Sequence, residues 1–182
     1  MTSTRERLGT TEKTCKLCRP TAYWVWESGL DQDHLKELIS DHASHPRNKY
    51  QLEQATCTCH GKNPLCGDEI TIQIRLSSCS SKIEKIAFLG RGCPISQASA
   101  SIVTEVCSGL SSSDASALAS HLRKLITTGD QTEMADHLES AWSQIEGLAA
   151  IQVNPSRVKC VMLAWHTLAH ALRAPGESDT VF

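Results

Sequence analysis

Apolar and polar residues alternate most cleanly over residues 70–76. There Ile70, Ile72, Ile74 and Leu76 are separated by Thr71, Gln73 and Arg75. A period of two predicts a β-strand. A weaker alternation precedes it, with Ala55, Cys57 and Cys59 set against Thr56, Thr58 and His60. The run Ser77-Ser78-Cys79-Ser80-Ser81 predicts a turn, after which residues 82–89 return as a third strand. Ile86 and Phe88 share a phase there, while Ile83 is out of step, a mismatch that a β-bulge absorbs. Short connections predict an antiparallel meander.

The period changes to that of a helix elsewhere. Before the strands, Leu35, Leu38 and Ile39 share one helical face behind the capping residues Asp31 or Asp33. That helix should stop before Pro46. After Gly92, Pro94 suits a first helical position, and Ala98, Ile102 and Val106 follow at helical spacing. Further helices are predicted over 113–126, 131–141 and 157–172. The last carries the apolar stripe Val161, Trp165, Leu168 and Leu172. Trp142 and Trp165 are expected in the core. The fold class is therefore α+β: a small three-stranded antiparallel sheet with helices packed against it. Residues 1–30 read as an extension, 31–174 as one domain, and 175–182 as a frayed tail.

Composition narrows the function. The chain has 182 residues, a net charge of −2 and a hydrophobic share of 40%. Such a charge gives no electrostatic reason to expect nucleic acid or an anionic membrane as partner. No apolar run reaches membrane-spanning length, and the polar start carries no signal-like core. A cytoplasmic protein is expected. Its nine cysteines then need another explanation than disulfides, because the count is odd and the compartment reducing.

Cys66 and Asp68 stand in Asn63-Pro64-Leu65-Cys66-Gly67-Asp68, a polar turn between strands. Gly67 permits a backbone shape that turns both side chains toward one point. Cys93 precedes Pro94 at a helix start, and Cys160 falls in the first turn of the helix predicted from Arg157. Helix starts favour thiolates, which bind metal or attack sulfur. Three thiolates and a carboxylate can complete a tetrahedral shell around zinc or iron. The intervals from 66 to 93 and from 93 to 160 match no compact zinc-finger spacing. For Cys93 and Cys160, plain core packing stays open.

Several motifs in order resemble the U-type iron–sulfur cluster assembly family: SufU, IscU and the N-terminal part of NifU. They are Asp41-His42, His45-Pro46-Arg47-Asn48-Lys49, Pro64-Leu65-Cys66-Gly67-Asp68, the run from Gly90 to Ser101 containing Cys93, and Arg157-Val158-Lys159-Cys160 with Leu163-Ala164-Trp165. The resemblance runs from about Leu35 to Leu172 and implies a SufE/NifU-like fold. It also implies one site built from Cys66, Asp68, Cys93 and Cys160. Lys159 stands where IscU-like members usually carry histidine. The interval after Cys93 also accommodates a SufU-like insertion around 121–131.

The resemblance is thus closer to SufU. It implies a Zn2+ site that accepts persulfide sulfur from a SufS-like cysteine desulfurase. As an enzyme the chain would be at most a zinc-dependent sulfurtransferase acting with that partner. The alternative is an IscU-like scaffold, with iron or a transient [2Fe–2S] cluster on the same residues, handing it to downstream carriers or a scaffold. Cys66 is the expected sulfur acceptor and Cys160 the second choice. Arg157 and Lys159 are either stabilisers of thiolate charge or solvated helix-start residues.

The other cysteines and histidines carry weaker readings. Cys15-Lys16-Leu17-Cys18 is a lone C-x-x-C; to read as half of a zinc knuckle it would need Cys57, Cys59 or His60 to complete it, and the strand alternation argues against Cys57 and Cys59. Cys79 reads as a turn thiol and Cys107 as helix-end packing. His42 and His45 read as helix-end polar residues that lie within a family-like stretch. His34, His121, His137, His166 and His170 read as surface or packing residues. The last two are spaced to face one way.

Overall fold

The computed structural model describes residues 29–78, 81–130, 133–173 and 176–181. Cys15, Cys18 and Cys79 lie outside them. Helix α1 spans Gly29–Ser44. Strands β1 (Cys57–Asn63), β2 (Asp68–Leu76) and β3 (Ile83–Arg91) form the expected antiparallel meander. The register slips between Arg75 and Leu76, so that Arg75 faces Lys85 and Leu76 faces Ile83. This is the bulge that the phase of Ile83 required. It lets Ile83, Ile86 and Phe88 all reach the core.

Helix α2 (Pro94–Val106), α3 (Ser112–Thr128), the short α4 (Glu139–Ser143) and α5 (Pro155–Arg173) follow. Ser111 caps α3 by accepting from the Asp114 N–H, and Gly129 ends it in a left-handed conformation. Helix α5 lies across β1 and β2, with α2 beside it over β3. Trp165 of α5 is fully buried, and Cys107 is fully buried at the end of α2. Among the described residues, no helix is long and apolar enough to cross a membrane.

Two expectations need correction. Residues 176–181 form a fourth strand, β4 (Gly176–Val181), rather than a frayed tail. It pairs in parallel with β1 and gives the order β3-β2-β1-β4. It supplies partners for the open edge of β1, which the tail's polar composition did not advertise. The helix expected over 131–141 begins only with a 3-10 turn at Asp136. Glu133 to Ala135 are irregular, because Leu138 alone in that stretch is deeply buried and cannot nucleate a longer helix. A 3-10 segment over Glu146–Val153 was not legible as such. It buries Leu148, Ala149, Ala150 and Ile151 without a helical stripe.

Both faces of β2 are covered. Gln73 and Thr71, expected to be polar and outward, are buried. The Leu52 N–H donates to Gln73 Oε1 at 3.0 Å, and the Phe88 N–H to the Asn48 carbonyl at 3.0 Å. The segment after Pro46 therefore wraps the outer face. Its anchor is His42, a polar residue near the helix end that is buried. His42 Nδ1 meets Ser101 Oγ at 2.9 Å, and Ser101 also accepts from the Arg47 N–H at 2.7 Å. Arg47 in turn pairs with Asp41 at 2.6 Å.

Burial, and then the Arg47 charge, hold the His42 pKa below its ordinary value, against the pull of Glu105 and Asp41. The folded state therefore binds the His42 proton less readily than the unfolded chain. This contribution is complete above the ordinary value of 6.5 and diminishes as pH falls from there toward the folded pKa. Denaturation midpoints should drop on acidification through this window, and His42→Gln should flatten part of that slope. An unchanged slope would contradict the assignment.

Gly61 sets the distance between sheet and helix. A Cβ there would stand 1.9 Å from Thr167 Oγ1 on α5. Gly61→Val should lower stability by about 3 kcal/mol, read from denaturant midpoints, since overpacking a close interface carries that order of cost.

Candidate metal centre

The β1–β2 turn is shaped by Asn63, which is 1% exposed. Its side-chain oxygen accepts from the Leu65 N–H at 3.1 Å, and its carbonyl from the Gly67 N–H at 2.9 Å. Gly67 takes φ +73°, a left-handed value that glycine adopts at little cost. The turn sets Cys66 in the open and places Asp68 at the start of β2, 2% exposed. Cys93 caps α2 from an extended conformation at ψ 158°, with Pro94 at the first helical position as expected.

Ligand atoms of Cys66, Asp68 and Cys160 all lie within 4.8 Å of one another. Residues distant in sequence, from a hairpin turn and from α5, thus converge. Cys93 borders this trio without joining that mutual set. Its backbone N–H donates to Asp68 Oδ1 at 2.9 Å, while its thiol faces Ser96 Oγ at 3.7 Å. Ser96 is tied to the same turn by donating to the Cys93 carbonyl at 3.0 Å.

Asp68 has one oxygen engaged and one left over. Oδ2 is buried and has no hydrogen-bond partner. An orphaned carboxylate oxygen in a buried setting is costly unless a cation meets it. Burial pushes the Asp68 carboxyl up, but the Cys93 N–H, the Cys66 and Cys93 thiols and Ser96 outweigh it, so its pKa is lowered. Asp68 is therefore a carboxylate. The donor set is soft sulfur plus one hard oxygen, the chemistry of zinc or iron sites.

Cys160 departs from expectation. Helix α5 starts at Pro155, so Cys160 sits in its second turn and is 7% exposed. Burial, then the neighbouring Cys93, Cys66 and Asp68, push its thiol pKa up. The helix start does not make it a thiolate. A cation between these groups would reverse that balance, because coordinating thiols lose their proton. Arg157 and Lys159 are exposed.

Of the second metal site, Cys15 and Cys18 lie outside the described residues. Cys57 and Cys59 are buried in the core on the inner face of β1, and His60 is exposed on the other. His60 Nδ1 instead meets Thr71 Oγ1 at 2.9 Å. The Cys107 thiol is pushed up to about 12 by burial and is inert.

Sequence reasoning missed Gly92. Its φ is +153°, and a Cβ there would lie 2.6 Å from both Cγ and Oδ1 of Asp68 and 2.8 Å from Ser96 Oγ. The Gly-Arg-Gly-Cys-Pro run was the available signal.

Residues 34–175 match the family described as NifU-like N terminal domain. A relative from Streptococcus pyogenes serotype M1, "Iron-sulfur cluster assembly scaffold protein IscU", is 35% identical over 136 residues, covering 75% of this chain and 80% of the relative. "Zinc-dependent sulfurtransferase SufU" of Bacillus subtilis (strain 168) is 30% identical over 133 residues, covering 73% and 85%. Among solved structures, a putative iron–sulfur cluster assembly scaffold protein for the SUF system from Fervidobacterium islandicum AW-1 aligns with a TM-score of 0.65 at 29% identity, covering 75% of this chain and 94% of the other. An N-terminal NifU-like protein from Brucella abortus aligns with a TM-score of 0.68 at 15% identity, covering 78% and 94%, and shares the fold.

Proposed function

From the premise that this chain belongs to the NifU-like N-terminal domain family of iron–sulfur cluster assembly scaffold proteins, we propose that it accepts persulfide sulfur from a cysteine desulfurase at a Cys3Asp metal site. The observation that carries this reading is the mutual approach of Cys66, Asp68 and Cys160 around a carboxylate oxygen with no other partner. Cys66, Asp68, Cys93 and Cys160 would hold the ion, with Cys93 completing the set by turning its thiol away from Ser96. A bound Zn2+ supplies Lewis-acid stabilisation of thiolate charge.

Exposure decides the order of events at the sulfurs. Cys66 is exposed, Cys93 half-buried and Cys160 buried. A persulfide presented by a partner protein reaches Cys66 first. The Cys66 thiolate, its proton released to solvent, attacks the outer sulfur of the partner's persulfide. A new S–S bond forms on Cys66, the partner's S–S bond breaks, and the partner's cysteine leaves as thiolate. Sulfur is transferred without net oxidation. Leu65, 76% exposed at the apex of the same turn, offers an apolar contact for the partner. Cys160, buried behind that turn, is the second choice of acceptor.

The alternative is a scaffold on which a [2Fe–2S] cluster is assembled on the same four residues. The IscU-named relative favours it, whereas Lys159 beside Cys160 favours the SufU-like reading. Anaerobically purified protein separates them: a colourless zinc protein supports sulfur acceptance, and a red-brown chromophore with acid-labile sulfide supports the scaffold. The direct test of the first reading is desulfurase turnover. Adding this chain to a SufS-like enzyme with cysteine should raise alanine release and leave one extra sulfur on the chain. No stimulation and no added sulfur would refute it. The expected compartment is the cytoplasm.

A further inference from the structure

The first turn of α2 carries a hydroxyl among the residues of the metal centre. Ser96 is fully buried. Its Oγ–H donates to the Cys93 carbonyl at 3.0 Å, three residues back, and the Cys93 thiol donates to Ser96 Oγ at 3.7 Å. Asp68 stands beside the same oxygen. A Cβ built on Gly92 would lie 2.6 Å from Asp68 Oδ1 and 2.8 Å from Ser96 Oγ, so carboxylate and hydroxyl flank one point. A serine bonding back to its own helix is ordinary and asks for no ligand. The approach to Cys93 and Asp68 together goes further, because one hydroxyl then touches two residues of the centre.

The two oxygens of Asp68 have different surroundings. Oδ1 accepts from the Cys93 N–H at 2.9 Å, whereas Oδ2 is buried with no hydrogen-bond partner. Against burial, hydrogen bonds from the Cys93 N–H, the Cys66 and Cys93 thiols and the Ser96 hydroxyl hold the Asp68 carboxyl down. The Cys93 N–H and Ser96 lie on the Oδ1 side, which leaves Oδ2 for a cation.

We propose that Ser96 is a positioning residue of the metal centre: its hydroxyl and the Cys93 N–H hold Asp68 by Oδ1, so that Asp68 meets the ion through Oδ2 alone and the shell stays at four ligands. This rests on the Cys3Asp reading and adds to it a residue that is not a ligand. A hydroxyl has one proton and two lone pairs. With Cys93 turned toward Ser96, the proton goes to the Cys93 carbonyl and a lone pair takes the thiol. A coordinating thiol loses its proton and needs that lone pair no longer, which frees the hydroxyl to donate to Oδ1. Without the hydroxyl the carboxylate can swing, bring both oxygens to the ion and expand the shell to five.

The test loads the full-length chain anaerobically with Co2+ as a visible probe and measures Zn2+ affinity by chelator competition. The parent should show the intense visible bands of a four-coordinate ion. Ser96→Ala should show the weaker bands of a five-coordinate ion and hold Zn2+ about tenfold more weakly, as loss of an outer partner of a ligand does. Ser96→Thr keeps the hydroxyl and should restore both. Ser96→Gly lacks it and crowds nothing, so it should behave as Ser96→Ala; these two variants decide the matter even where threonine is not accommodated. Thr104→Val is the control. Thr104 is a buried hydroxyl on the same helix that also donates three residues back, to the Ser101 carbonyl at 2.8 Å. This variant should keep the parent's bands and affinity. Parent bands and parent affinity in Ser96→Ala would overturn the role of Ser96 and leave the four-residue centre standing. Equal changes in Thr104→Val and Ser96→Ala would reduce the effect to helix packing and overturn it as well. A parent that binds no Co2+ would remove the centre itself, and Ser96 with it.

Discussion

Gly92→Ala should yield a folded protein that holds metal about 10- to 100-fold more weakly than the parent, the loss typical when the support of a ligand is disturbed. The added methyl would fall 2.6 Å from Cγ and Oδ1 of Asp68. Asp68 is held from behind by the Cys93 N–H at 2.9 Å, so it cannot retreat without breaking that bond. The backbone adds its own objection, since φ +153° is a region that alanine rarely adopts. The damage is local, because Gly92 is exposed and lies outside the core. Gly67→Ala is the control. That position also has positive φ, yet a Cβ there meets nothing within 4 Å. It should cost about 1 kcal/mol of stability and leave metal affinity nearer the parent value. Competition with a chromophoric chelator measures both. Equal metal affinity in Gly92→Ala and the parent would show that Asp68 is not placed by this contact.

Cys66→Ala should abolish sulfur acceptance. With desulfurase and cysteine, the parent chain gains a persulfide that mass spectrometry localises to Cys66. The variant should stay at background, while Cys160→Ala still carries sulfur on Cys66. The physical reason is access. Cys160 is 7% exposed, its pKa is raised by burial and by neighbouring Cys93, Cys66 and Asp68, and it is both hidden and poorly ionised without a cation. Persulfide forming on Cys66→Ala at the parent rate would move the acceptor role to another cysteine.

Much of this arrangement was legible in the chain. The period-two run through Ile70, Ile72 and Ile74 located the central strand, and even the phase error at Ile83 located its bulge. Pro94 after Cys93 located the start of α2. These features are local, written in adjacent residues. What escaped depends on distant contacts. Strand β4 exists because β1 offers an open edge, and no pattern in 176–181 states this. The burial of His42 follows from Ser101, 59 residues away. The sequence predicts α5 from Arg157 and so puts Cys160 one turn too early, whereas the helix begins at Pro155. The convergence of Cys66 and Asp68 with Cys160 was expected from resemblance to a family. Spacing alone left core packing open for Cys160, and the fold brings the three together.

The most direct measurement is metal and acid-labile sulfide content of anaerobically purified protein, parent beside Cys93→Ala. Cys93 is the informative choice because its thiol faces Ser96 at 3.7 Å and must rotate to serve as fourth ligand. The parent should carry one equivalent of metal and Cys93→Ala only a small fraction of that, with both proteins folded by circular dichroism. Full metal content in Cys93→Ala, or a folded parent that binds no zinc or iron when either is supplied, would contradict a shared four-residue centre.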